Sequence, residues 1–224
     1  MSSVEELDIA GFRVLFSKSQ RAKHILLKQN QHGEIVLTCP KYCPKIMAVA
    51  FAKKQVAWIR AHVQHGPKVK VFVPNEEITI VGQPYRLIHG EHTEEKPGCL
   101  TLSGDLTFFH RRVCSFAQKK LLSYIQNEVS RLTKKINVTA HRITLRNTSS
   151  RWGSCSSTKN LSFCWKIAFA PKEVIDYLIA HEVAHLAEMN HSDRFWAVVD
   201  ELTDTRKVGD KWLKQNGRML QGIK

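Results

Sequence analysis

The chain has 224 residues, 43% of them hydrophobic and 24% charged. This is ordinary globular composition, enough for one large or two small domains with a real core, and it excludes a disordered, collagen-like or low-complexity chain. No apolar run approaches the ~20 residues of a bilayer span, and acidic residues 1–11 lack the apolar stretch of a secretory signal. The expectation is a soluble cytoplasmic protein with no membrane partner. Thirty-four Lys and Arg against 20 Asp and Glu leave a net charge of +14. Residues 1–110 carry 14 basic and 10 acidic side chains, and residues 111–224 carry 20 and 10. The excess lies in the second half, and such a field favours polyanions, so nucleic acid or nucleotides are expected partners of the basic surface.

In chain order, the first third reads as strand, strand, helix. Phe12, Val14 and Phe16 alternate, as do Ile25 and Leu27, and His32-Gly33 signals a turn before a strand at Ile35–Leu37. Pro44 opens a helix through Met47, Phe51, Val56 and Ile59 that Gly66-Pro67 stops. Two hairpins follow: Ile78–Val81 with Tyr85–Ile88, and Cys99–Leu102 with Leu106–Phe109. An amphipathic helix is expected from about Arg111 to Ile136. Strands come next at Arg142–Arg146 and Leu161–Ala168. A helix starts at Pro171 and runs to about Glu188, Ser192 caps another through Leu202, and a last helix ends at Asn216-Gly217. The expected fold class is α+β: a β-rich N-terminal section with one helix, 1–110, and a mainly helical section with a short sheet, 111–224. The six cysteines read as free thiols, and Cys39 and Cys43 make only a weak metal knuckle.

Residues 181–185 read His-Glu-Val-Ala-His. Positions i and i+4 share a helix face, so His181 and His185 can reach one metal ion, with Glu182 beside them to take a proton from water. With this composition such a string arises by chance roughly 0.03 times per chain. His191 follows six residues later. Asn190 tolerates a left-handed reversal that would bring His191 back to the same ion. Three imidazoles and one open position describe a catalytic Zn²⁺ site. Glu201, on the next helix, is the alternative third ligand. Asp176, Glu188 and Asp193 are candidate orienters of the imidazoles. Arg151 and Tyr177 are candidate stabilisers of a developing oxyanion, with a structural role for Arg151 and core packing for Tyr177 as the alternatives. Trp152, Trp165, Phe195 and Trp196 read as core aromatics around the metal helix.

The strings Arg151-Trp152-Gly153-Ser154-Cys155-Ser156, Leu161-Ser162-Phe163-Cys164-Trp165, His181-Glu182-Val183-Ala184-His185 and Asn190-His191-Ser192, with Phe195-Trp196, resemble the YgjP-like metal-dependent hydrolases, relatives of the SprT-like zinc metallopeptidases. The basic Ser19–Lys23 segment and the Lys211–Gly217 tail extend the likeness over most of the chain. The resemblance implies a zincin-like catalytic section and a strand near Leu161–Ile167 that borders the cleft and pairs with extended peptide. Glu188 stands where metzincin proteases place glycine, and no Met-turn is evident, so membership there is rejected.

Three activities compete. The first is a zinc-dependent metallopeptidase acting on a peptide or protein, associated with nucleic acid. The second is a metal-dependent nucleotide phosphohydrolase, although no Gly-rich phosphate loop is present. The third is a nucleic-acid-binding protein with structural zinc, for which Glu182 makes a poor fourth ligand.

Overall fold

The computed structural model describes residues 4–30, 33–64 and 69–224. Among these residues are eleven strands and six α-helices. The chain divides into two compact units, residues 1–70 with 224 and residues 71–223. No helix among the described residues is long and apolar enough to cross a membrane.

The first unit is a four-stranded sheet with two helices. Its strands are β1 (Glu5–Ile9), β2 (Phe12–Ser19), β3 (Leu26–Gln29) and β4 (Ile35–Pro40), in the order β1-β2-β4-β3. Strand β1 was not expected, because its acidic residues hide the alternation. It forms through a tight turn at Ala10-Gly11, both with positive φ, whose Gly11 N–H donates to the Asp8 carboxylate. The single expected helix is two, α1 (Lys45–Lys54) and α2 (Val56–Gln64), parted at Gln55. Ile9, Val14, Ile35, Leu37, Ala48, Ala52 and Ile59 fill the core between sheet and helices. His32 of the turn signal and the Gly66-Pro67 stop lie outside the described residues.

In the second unit, β5 (Glu77–Ile80), β6 (Gln83–His89), β7 (Glu94–Lys96) and β8 (Cys99–Leu102) form a sheet in the order β5-β6-β8-β7. The expected boundary at 110 differs from the observed one at 70. The buried side chains of this sheet (Ile80, Tyr85, Leu87, Leu100, Leu102) join the same core as the helices that follow, so residues 71–110 belong with the second half. The second expected hairpin does not form. Asp105 caps Leu106–Phe108 by accepting from the Thr107 N–H at 2.7 Å, which starts a 3₁₀ turn leading into α3 (Phe109–Lys135). Strand β8 pairs instead with β7 and β6.

Helix α3 lays Val113, Ala117, Leu121, Ile125, Val129 and Leu132 against a second, three-stranded sheet and the helix that carries the histidines. That sheet is β9 (Arg142–Arg146), β10 (Gly153–Cys155) and β11 (Asn160–Cys164), in the order β10-β11-β9. The expected long strand ends at Cys164 because residues Trp165–Phe169 turn into a buried 3₁₀ segment. The chain continues as α4 (Lys172–Ala184), α5 (Asp193–Leu202) and α6 (Arg206–Gln221). Gly217 does not end the last helix. It sits inside α6, where a Cβ would come within 3.1 Å of the Trp152 ring, so its glycine allows a close approach.

Candidate metal centre

Helix α4 is apolar on nearly every face: Val174, Ile175, Leu178, Ile179, Ala180, Val183 and Ala184 are buried. Such a helix belongs at the centre of a core, and α4 packs against α3, α5, α6 and β10. Polar side chains on it are held rigidly by their surroundings. His181 and His185 share its last turn, and the helix tightens after Ala184 through Leu186 N–H to Val183 O at 3.0 Å and Ala187 N–H to Ala184 O at 3.0 Å. Asn190 does not take the left-handed conformation expected of it. The chain returns through bends at 189–190, and Ser192 then opens α5 by accepting from the Phe195 N–H.

The return brings His191 onto the other two rings. Among the described residues, His181, His185 and His191 are the group of metal-ligating side chains that converge, their donor atoms all within 4.8 Å of one another. His191 Nε2 lies 3.2 Å from His181 Nε2. Glu201 does not take part. It lines a separate cavity with Glu128, Asp176 and Asp200.

Phe195 underlies all three imidazoles, with ring centroids 5.0, 4.5 and 4.6 Å from those of His181, His185 and His191. It is fully buried and fixes where the rings can stand. Trp196 flanks His181 and His191, and the Arg206 guanidinium covers its outer face at 4.0 Å. These aromatics were expected as core, and that packing sets the ring geometry.

Glu182 is buried, at 4% exposure. Its Oε2 and the Nδ1 of His181 are two of the four buried side-chain polar atoms without a hydrogen-bond partner among the described residues. Leaving such an atom unpaired costs about 1–3 kcal/mol, so the Glu182 oxygen marks a place prepared for something else. Burial raises the Glu182 carboxyl to about 8, against an opposing pull from Arg151. Burial lowers His181 to about 4, assisted by the charges of His185 and His191. His185 is also lowered by burial, while its Nδ1, 3.1 Å from the Glu188 carbonyl, is held in a hydrogen bond. Burial therefore holds the His181 and His185 rings neutral near pH 7, the state in which imidazole offers a lone pair to a metal.

The expected orienters fall differently. Position 188 acts through its backbone carbonyl rather than its carboxylate. Asp176 is engaged elsewhere, by the Tyr124 hydroxyl and by Lys172 at 2.7 Å. Tyr177 is 5% exposed, its ring edge against His181. A Cβ at Gly209 would reach to within 2.5 Å of Tyr177, so helix α6 seats this ring closely. Arg151 is exposed and acts on Glu182 only through its field.

Sequence reasoning missed Gly153. A Cβ there would stand 2.7 Å from Glu182 Cγ and Cδ. Strand β10 therefore runs directly over the carboxylate, and its side away from β11 carries no further strand. Strand β11, expected to border the cleft, is paired on both sides. Trp152-Gly153-Ser154 reads as a turn in the sequence, and the structure places Gly153 at the start of β10 instead; a glycine within a strand marks a close approach. Asp210 and Lys214 of α6 complete a pocket of about 330 Å³ over His181 and Glu182.

A family model described as the YgjP-like metallopeptidase domain matches residues 23–216. The chain belongs to the YgjP-like family. Its general class is thereby a metal-dependent peptidase, and the zincin-related resemblance read from the strings above rests on the same residues. Among solved structures, the YgjP-like chain is similar to the metallopeptidase zymogen abylysin of Pyrococcus abyssi, at 16% identity with a TM-score of 0.38, over 42% of this chain and 96% of that one. No curated protein matches the sequence significantly.

Proposed function

We propose that this YgjP-like protein is a zinc-dependent peptidase in which His181, His185 and His191 hold the ion and Glu182 moves the proton. The observation that carries the reading is the convergence of three imidazoles beside a buried carboxylate that has no partner for one oxygen. Donor chemistry favours zinc, for which three histidines and an open position are a recurring catalytic set. Zn–N bonds of about 2.0–2.1 Å at a tetrahedral angle set two ligand nitrogens roughly 3.3 Å apart. The 3.2 Å between His181 and His191 fits that spacing.

When bound, zinc supplies Lewis acidity, polarising the scissile carbonyl and making water nucleophilic near neutral pH. The rest falls to the chain. Glu182 accepts the proton of the attacking water on its unpartnered oxygen and returns it to the leaving amine. Gly153 leaves the space in which this carboxylate stands. Phe195 excludes water from beneath the rings and fixes their orientation. The open edge of β10 offers backbone donors and acceptors to an extended substrate, the strand-addition mode.

The test pairs metal analysis with two variants. Glu182→Gln should retain zinc and lose peptide cleavage, and His191→Ala should lose zinc. Full hydrolysis by Glu182→Gln would refute the proton role, and zinc retained at full affinity in His191→Ala would refute the ligand set.

A further inference from the structure

The outer face of the β10-β11-β9 sheet is unlike its inner face. Ile143, Leu145, Leu161 and Phe163 point into the core. The alternate residues point the other way, and the register lines Ser154, Ser162 and Thr144 into one row across the three strands, with Arg142 beside Asn160 in the next. Above them is a cavity of about 520 Å³. Arg142, Arg146 and Arg151 line it, and no acidic residue does. Among the described residues, Arg142 and Arg146 form no ion pair and the Ser154 and Ser162 hydroxyls make no hydrogen bond. Other basic side chains do have a carboxylate partner: Arg13, Lys45, Lys96, Lys120, Arg131, Lys172, Arg206 and Lys214. The cavity also shares a wall with the pocket over His181 and Glu182, because Trp152 and Gly153 line both.

We propose that this arginine-lined cavity is a substrate subsite for acidic side chains, so that the enzyme selects polypeptides carrying Asp or Glu near the scissile bond. The inference rests on the peptidase reading and deepens it. A chain leaving the catalytic pocket over the Trp152–Gly153 rim enters a space with uncompensated guanidinium groups and free hydroxyl donors. Carboxylates are the groups that Arg recognises in paired, planar fashion. Strands β10 and β9 stand two inter-strand spacings apart, about 10 Å, which an extended chain covers in roughly three residues. The acidic positions therefore lie about three or more residues from the cut. A polynucleotide fits less well. Base stacking needs an open aromatic face, and the only aromatics lining the cavity are Trp152, whose indole Gly217 closes against, and the buried Phe163.

The experiment uses the zinc-loaded full chain and three matched peptides that differ only in Glu, Gln or Lys three to five residues either side of one bond. The Glu peptide should show kcat/KM about tenfold above the Gln peptide, the worth of one charge-assisted contact, mostly in KM and shrinking with salt. Arg142→Gln with Arg146→Gln should remove that preference, and Arg142→Lys with Arg146→Lys should restore part of it. Lys53→Gln with Lys54→Gln, the same charge change on exposed helix α1, should leave it intact. In parallel, zinc-loaded Glu182→Gln protein is titrated with fluorescent Glu peptide and with oligo-dT by anisotropy. Equal cleavage of Glu and Gln peptides, or a preference that survives the double Gln variant, overturns the proposal. So does arginine-dependent binding of oligo-dT without binding of the Glu peptide. Should no peptide be cleaved by zinc-loaded enzyme, the peptidase reading fails, and the anisotropy titration still decides the subsite.

Discussion

Gly153→Ala places a methyl carbon 2.7 Å from both Cγ and Cδ of Glu182. Carbon atoms rest at about 3.5–4.0 Å from one another, so the glutamate must retreat by roughly 1 Å. Little else can give, because Glu182 is buried on a helix packed by α3, α5 and α6. Gly153 does not have a positive φ, so alanine brings no backbone strain and its whole effect is spatial. A misplacement of about 1 Å at a reacting group costs on the order of 100-fold in rate, or ~2.7 kcal/mol in the barrier. Overpacking adds about 1–3 kcal/mol of lost stability, and each ~1 kcal/mol lowers the thermal midpoint by roughly 2–4 °C in a chain of this size. The assay is kcat/KM on a fluorogenic peptide, with zinc content and thermal midpoint measured on the same preparation. The expected result is full zinc, a midpoint lower by several degrees and kcat down about 100-fold. A variant with full zinc and kcat within about threefold of wild type would refute the reasoning, because the carboxylate could then move without consequence.

Three further outcomes are expected. Chelation should lower the thermal midpoint by roughly 5–11 °C, since metal at 100 times its Kd contributes about 2.7 kcal/mol; zinc should restore it, and a midpoint indifferent to chelator in wild type would count against a resident ion. Phe195→Ala should cost about 3–5 kcal/mol by denaturant titration and weaken zinc binding, because the ring supports all three imidazoles; Phe195→Leu should cost less on both measures, and unchanged zinc affinity in the alanine variant would show that the ring does not position the histidines. Burial, and then the hydrogen bond to Asp176, raise the Tyr124 hydroxyl to about 12. A folded value above the unfolded ~10 means the contribution is present below pH ~10 and is lost as pH rises toward 12. Alkaline unfolding followed by circular dichroism should therefore be less steep in Tyr124→Phe, and identical profiles would refute the assignment.

Much of the centre was legible in the sequence. The spacing His181–His185 fixes two rings on one helix face because α-helical periodicity is local, and Ser192 marks where the next helix opens for the same reason. Strand β9 was read at its observed bounds, since alternation between Arg142, Ile143, Thr144 and Leu145 is a local signal too. Local reasoning failed where a local pattern was ambiguous. Leu106–Phe109 looked like a strand, and the Asp105 cap made it the start of a helix. Gly217 looked like a stop, and the Trp152 ring explains it as a close approach inside α6.

The sequence by itself determined the order of the three histidines and the helix that presents His181 and His185, because those depend on neighbours a few bonds apart. Tertiary structure alone decided that Gly153 of an edge strand stands over Glu182, that Phe195 supports the three rings, and that Arg142, Arg146 and Arg151 share one cavity. Each of these joins residues from different elements, and the joining is set by which apolar faces bury together, a condition on the whole core that no short stretch of chain encodes.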